Sequence, residues 1–120
     1  MSTPLTIALD AMGGDLAPAM VVRGANIARK RHPDVKFLFY GVEDQIKPLL
    51  DKHKTLRSIS EIRPAETVIT ADEKPSQALR GGRKSSMRLA IDAVSGGEAV
   101  CADSAGNTGA LLAMAIFVLK

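Results

Sequence analysis

The chain reads as an α/β fold, a three-layer α/β/α arrangement on a mostly parallel sheet. Three observations predict it. Short apolar runs suited to strands alternate with segments of helical spacing. The apolar runs end in glycine, proline or a carboxylate. No repeat, low-complexity tract or long linker interrupts the order, as expected when crossover helices join parallel strands.

Leu5–Leu9 reads as the first strand, stopping at Asp10 and followed by Gly13-Gly14. Pro18–Arg31 reads as a helix. Pro18 suits a first turn, where its missing N–H costs nothing, and Arg29, Lys30 and Arg31, then His32-Pro33, mark the far end. Val35–Tyr40 is a continuous apolar strand closed by Gly41, and Glu43–Lys52 a short helix with carboxylates first and lysines last. Ser58–Arg63 is a weaker strand ended by Pro64, and Glu66–Lys74 reads as an irregular connection. Pro75–Arg80 forms a helical turn before Gly81-Gly82. Ser86–Val94 has helical spacing at Met87, Leu89-Ala90 and Ala93-Val94, and stops at Ser95-Gly96-Gly97. Ala99–Ala102 is expected to be a short buried strand, Ser104–Gly109 a loop, and the chain from Thr108 a helix.

Composition narrows the function classes. A chain of 120 residues with 46% hydrophobic content suffices for one domain with a core. Aromatics make up only 3% and Trp is absent, so the core is aliphatic and stacking platforms for single-stranded nucleic acid are lacking. A net charge of +3 suits phosphate or an acidic partner but is too weak to argue for nucleic acid. Cys101 is the single cysteine, which rules out a disulfide framework within this chain, fits a reducing compartment and suggests a core thiol. The opening residues carry no basic stretch before a long apolar run, so no signal peptide is expected. Ala110–Leu119 is apolar on every side but reaches only about 15 Å as a helix, about half a bilayer core. Further protein is expected to cover it, so residues 1–120 are read as the N-terminal part of a single longer domain.

Parallel α/β sheets bind ligands outside the carboxyl ends of their strands, and two loops fall there. In Asp10-Ala-Met-Gly13-Gly14-Asp15 the paired glycines allow close approach of a ligand. Asp10 either holds a neighbouring loop or accepts a proton, and Asp15 suits a helix N-cap. In Ser104-Ala-Gly106-Asn107-Thr108-Gly109, Asn tolerates a left-handed backbone and Ser or Thr can cap a helix. That loop is either a plain capped turn or an anion site made of backbone N–H groups. Arg80, Arg83, Lys84 and Arg88 with Ser85-Ser86 form a basic cluster, either a solvated face or a contact for phosphate or an acidic partner.

Other chemistry is not indicated. Gly82-Arg83-Lys84-Ser85 is not a phosphate-binding P-loop, because Arg83 replaces a required glycine and the four-residue spacer is missing. Gly13-Gly14 lacks the third glycine of a dinucleotide fingerprint. His32 and His53 lie in helix-end contexts, metal-ligand spacing is absent, and no metal or cofactor is expected.

Three segments together resemble the PlsX phosphate acyltransferase family: Ile7–Asp15 with Ala17-Pro18, Ala78-Leu-Arg80 with Ser85-Ser-Met87, and Ser104–Ala110. The resemblance runs over essentially the whole chain, and its first and last motifs are the specific ones. It implies a fold like those of isopropylmalate dehydrogenases and phosphotransacetylases, incomplete in this chain. It also implies transfer of a fatty acyl group from acyl carrier protein to inorganic phosphate, giving acyl phosphate for phospholipid synthesis. An acyl-coenzyme A donor is the alternative, and an inactive fragment that only binds partners or self-associates is another. The expected setting is a cytoplasmic homodimer, with peripheral membrane contact through regions outside this chain. Carried onto these residues, the catalytic candidates are Asp10 and Asn107. Gly106, Thr108 and Gly109 with Ser104 are the expected phosphate cradle, Gly13 and Gly14 a facing wall, and Arg80, Ser85 and Ser86 a third side. Leu16 and Asp103 depart from the family pattern, and Asp103 places a negative charge beside the cradle.

Overall fold

The computed structural model describes residues 5–12, 17–68 and 74–104. In chain order the elements are β1 (Leu5–Asp10), α1 (Ala19–Arg31), β2 (Val35–Gly41), α2 (Glu43–Asp51), α3 (Lys54–Ser58), β3 (Ser60–Pro64), α4 (Pro75–Gly81), α5 (Ser86–Ser95) and β4 (Cys101–Ser104). The four strands form one parallel sheet in the order β3-β2-β1-β4. Asp10 lies level with Tyr40 on β2 and Ser104 on β4, and Tyr40 lies level with Arg63 on β3.

Alternation along the strands sends successive side chains to opposite faces, and both faces are covered by helices. On one face Ile7 and Leu9, Phe37 and Phe39, and Ile62 pack with Val22 and Ala25 of α1, Ile46 and Leu50 of α2, and Leu56 of α3. On the other, Ala8, Leu38 and Tyr40 pack against Ala90 and Ala93 of α5. Helix α4 extends that layer, its Ala78 resting on Met87 and Ile91. The expected α/β/α layering is therefore present. Among the described residues no helix is long and apolar enough to cross a membrane.

Three local differences from the sequence reading have physical reasons. The stretch before β3 is a short helix, α3, which carries one buried apolar residue, Leu56, and so has no periodicity to detect. Pro18 occupies the N-cap position of α1, so the cap falls three residues beyond Asp15, itself outside the described residues. The last strand begins at Cys101 rather than Ala99, and Cys101 is exposed, which corrects its reading as a core thiol. Among the described residues strand β4 pairs with β1 alone, and the core on the Cys101 face draws on β1, β2 and β3 without a β4 residue. The expected helix from Thr108 lies outside the described residues.

Gly41 ends β2 because nothing larger fits there. A Cβ at this position would lie 2.6 Å from Met12 Cγ and 2.9 Å from Ile46 Cδ1. The turn after β1 thus drapes Met12 over the end of β2, and Ala11 N–H extends the contact by donating to Tyr40 C=O at 2.9 Å.

Candidate functional site

The chain steps from β1 to β2 to β3 in one direction, then returns to the opposite side of β1 as β4. Such a reversal opens a crevice between the carboxyl ends of the two strands that flank it, the usual ligand position in parallel α/β sheets. Here the flanking strands are β1 and β4. Their last residues, Asp10 and Ser104, face each other in register. In the sequence Gly13-Gly14 follows the first strand, and the glycine-rich segment 105–109 follows the second.

Asp10 is 2% exposed and its carboxylate accepts three hydrogen bonds. Oδ1 takes the backbone N–H of Met12 at 3.1 Å, a tight turn just past the strand, and the Ser86 hydroxyl at 2.5 Å. Oδ2 takes the Ser104 hydroxyl at 2.7 Å. Side-chain alternation explains the convergence: Asp10 shares the face of Ala8, on which α5 packs, and Ser86 is the first residue of α5. Two hydroxyls from distant segments therefore meet one buried carboxylate at the strand ends.

The start of α5 is satisfied by the chain itself. The Ser85 hydroxyl caps the helix by accepting from Arg88 N–H at 3.1 Å, and it donates to Gly82 C=O at 2.6 Å. Ser86 N–H donates to Thr67 C=O at 3.0 Å, within an isolated parallel bridge between Thr67 and Ser85. Ser85 and Ser86 are fully buried. The positive end of α5 thus faces the Asp10 carboxylate through Ser86, a favourable pairing.

The basic cluster does not converge. Arg80 is exposed on α4, where its Nε reaches Ser76 C=O at 3.3 Å. Lys84 pairs with Glu66 at 3.5 Å, and Arg88 with Asp92 at 3.1 Å. Asp103 is exposed and accepts the Ser104 N–H at 2.9 Å. Strand alternation puts it on the face opposite Ser104, so its charge points away from Asp10. Gly13, Gly14, Gly106, Asn107, Thr108 and Gly109 lie outside the described residues.

One polar group on the sheet, two strands from β1, went unnoticed in the sequence. Arg63 on β3 bridges Glu61 and Glu98, each at 3.0 Å, and these carboxylates raise its pKa above the ordinary arginine value. Tyr40 on β2 lies on the same face. Burial pushes its hydroxyl pKa up, while the nearby Arg63 charge pulls it down and Glu98, Glu61 and Asp92 push it up. Tyr40 ends an apolar run and Arg63 a weak strand, so neither carries a motif. Only the pairing of β2 with β3 brings them together. Among the described residues no group of three His, Cys, Asp or Glu side chains could hold a metal ion.

The chain is 62% identical over its whole length to a phosphate acyltransferase of Rhodospirillum centenum, of which it covers 34%. It is 58% identical to the phosphate acyltransferase of Parvibaculum lavamentivorans and 52% identical to that of Rhodospirillum rubrum, in each case over all of this chain and 34% of the relative. The chain thus spans about a third of the length of the curated relatives it matches. The family model for the fatty acid synthesis protein matches residues 5–120. By that match and these identities, the chain belongs to the fatty acid synthesis protein family.

Proposed function

We propose that the complete protein transfers a fatty acyl group from acyl carrier protein to inorganic phosphate, releasing acyl phosphate. The observation that carries this reading is that Asp10 and Ser104, each followed in the sequence by a glycine-rich segment, end neighbouring strands. Those strands, β1 and β4, flank the reversal of strand order. The names of the relatives supply the acyl and phosphate chemistry.

In this reading a phosphate oxygen attacks the thioester carbonyl, the C–S bond breaks, and the carrier thiol leaves with a proton. Positioning of phosphate against the carbonyl supplies much of the rate. Backbone N–H groups of Gly106, Thr108 and Gly109 hold the phosphate, and the Asn107 side chain donates to the developing oxyanion. Gly13 and Gly14 let the backbone of the first loop approach from the β1 side. Because the hydroxyls of Ser85 and Ser86 are engaged within the chain, these residues serve the crevice by fixing the start of α5.

The test is acyl phosphate formation by the complete protein, with acyl carrier protein and coenzyme A thioesters compared at equal concentration. The reading expects turnover with the carrier thioester and a loss of about 100-fold on Asn107→Ala in a folded variant. Turnover confined to the coenzyme A thioester would replace the donor, and unchanged turnover would remove Asn107 from the site.

A further inference from the structure

The helices on the sheet face away from Asp10 carry a charge of one sign. Helices α1, α2 and α3, with the Lys52-His53 link between the last two, hold eight lysines and arginines against three carboxylates. That excess is larger than the +3 of the whole chain. Helix α1 contributes Arg23, Arg29, Lys30 and Arg31 and no carboxylate. Of the three carboxylates, Asp51 is engaged by Arg57 at 3.3 Å, and Glu43 and Asp44 lie in the first turn of α2.

The outer side of this layer is open. Met20, Gly24 and Ile27 recur at helical spacing on one side of α1, flanked by the exposed Arg23, Lys30 and Arg31. Met20 is 57% and Ile27 51% exposed, so this apolar side faces out. Gly24 is exposed between them, and a Cβ there would meet nothing within 4 Å among the described residues. Packing within the described chain therefore does not call for glycine, which is a poor residue for a helix interior. Beside this notch an open groove of about 450 Å³ runs between α1 and the end of α2. Met20, Val22 and Leu49 wall it, and Arg23, Lys52 and His53 border it. Among the described residues no carboxylate lines the groove, and Arg23 and Lys52 form no ion pair.

The charge and shape select the occupant. A second copy of this face would meet it with like charge. A helix that lies in a bilayer surface buries a continuous row of bulky and aromatic residues, whereas α1 offers two apolar side chains separated by a notch and no aromatic. A notch and a groove ringed by cations fit a shaped partner of opposite sign. We infer that this α1–α2 face is the docking surface for a small acidic helical protein. Its apolar ridge crosses Gly24 into the groove, and its carboxylates meet Arg23, Lys30 and Lys52. In the acyl transfer reading above that partner is the carrier that delivers the thioester, and to that extent the inference rests on that reading.

The test uses the complete protein and a fluorescently labelled acyl carrier protein, with the dissociation constant read by anisotropy at low and at high salt. Wild type is expected to bind, more weakly as salt rises. Arg23→Glu combined with Lys52→Glu should weaken binding about tenfold and flatten the salt dependence. Gly24→Leu should weaken it about fivefold by filling the notch, yet raise the unfolding temperature, because leucine is the better helix former. In both variants KM for phosphate should stay within about twofold of wild type.

Carrier affinity unchanged in both variants would overturn the inference, and so would a wild type that does not bind the carrier. A lower unfolding temperature for Gly24→Leu would also overturn it, since other parts of the complete protein would then already cover this face. Loss of binding to vesicles of anionic phospholipid, with carrier affinity intact, would make the surface a lipid contact instead. A wild type that binds the carrier but forms no acyl phosphate would sink the functional reading alone, and the variants would still decide the docking surface.

Discussion

The Ser86 hydroxyl donates to the Asp10 carboxylate across 2.5 Å, joining residues 76 positions apart at the point where α5 begins and β1 ends. With the Ser104 hydroxyl at 2.7 Å on the other oxygen, the carboxylate ties three segments at one end of the sheet.

Removing that carboxylate takes away the acceptor that the Met12 N–H and the Ser86 and Ser104 hydroxyls share. Asp10→Ala is expected to destabilise the complete protein by about 2–4 kcal/mol, and Ser86→Ala by about 1–2 kcal/mol. The double variant should cost less than the sum by about 1 kcal/mol or more, since the same bond is lost in both. Urea unfolding of the four proteins reads the coupling, and strict additivity would mean that the bond contributes nothing.

Gly41→Ala tests the drape of Met12 over β2. The added methyl would sit 2.6 Å from Met12 Cγ and 2.9 Å from Ile46 Cδ1, so neighbours must shift, at about 1–3 kcal/mol. Met12→Ala in the same chain removes the nearer contact, and the double variant should unfold at a higher urea concentration than the two separate losses predict.

Ser85→Ala removes a cap and leaves the Arg88 N–H and the Gly82 C=O without their side-chain partner. A loss of about 1–2 kcal/mol is expected from thermal or urea unfolding, with fraying confined to the first turn of α5 in hydrogen exchange.

Tyr40 makes stability fall in alkaline solution. Burial raises its pKa above the ordinary value of 10.0, so the contribution is complete below that value. Above it the unfolded chain releases the proton first, and the contribution is lost as pH rises through the folded pKa. The stability of wild type relative to Tyr40→Phe should therefore decline once pH passes about 10. Arg63→Met should push the Tyr40 titration higher still, because it removes the cation that lowers it. Tyrosinate absorbance, taken as the difference between each protein and its Tyr40→Phe counterpart, reads both effects.

The apolar runs and helical spacings made most elements legible, and with them the α/β class. Less was readable where a segment is short or at an edge. Leu56 alone anchors α3, so no pattern marks it, and Cys101 closes a run that looks like core although β4 lies at the edge of the described sheet. The glycine-rich segments stood out by composition, whereas Tyr40 and Arg63 carry no signature and meet through strand pairing alone.

By itself the sequence determined most of the strands and helices, that glycine-rich segments follow Asp10 and Ser104, and which family the motifs resemble, because periodicity, turn chemistry and motif spacing are local properties. Only the tertiary structure decided that β4 returns beside β1, and hence that Asp10 and Ser104 end neighbouring strands. It also brought the Ser86 and Ser104 hydroxyls to the Asp10 carboxylate. The hydroxyls that engage its carboxylate come from positions 76 and 94 residues away, and such partners exist only once strands distant in sequence have paired and a helix has packed across them.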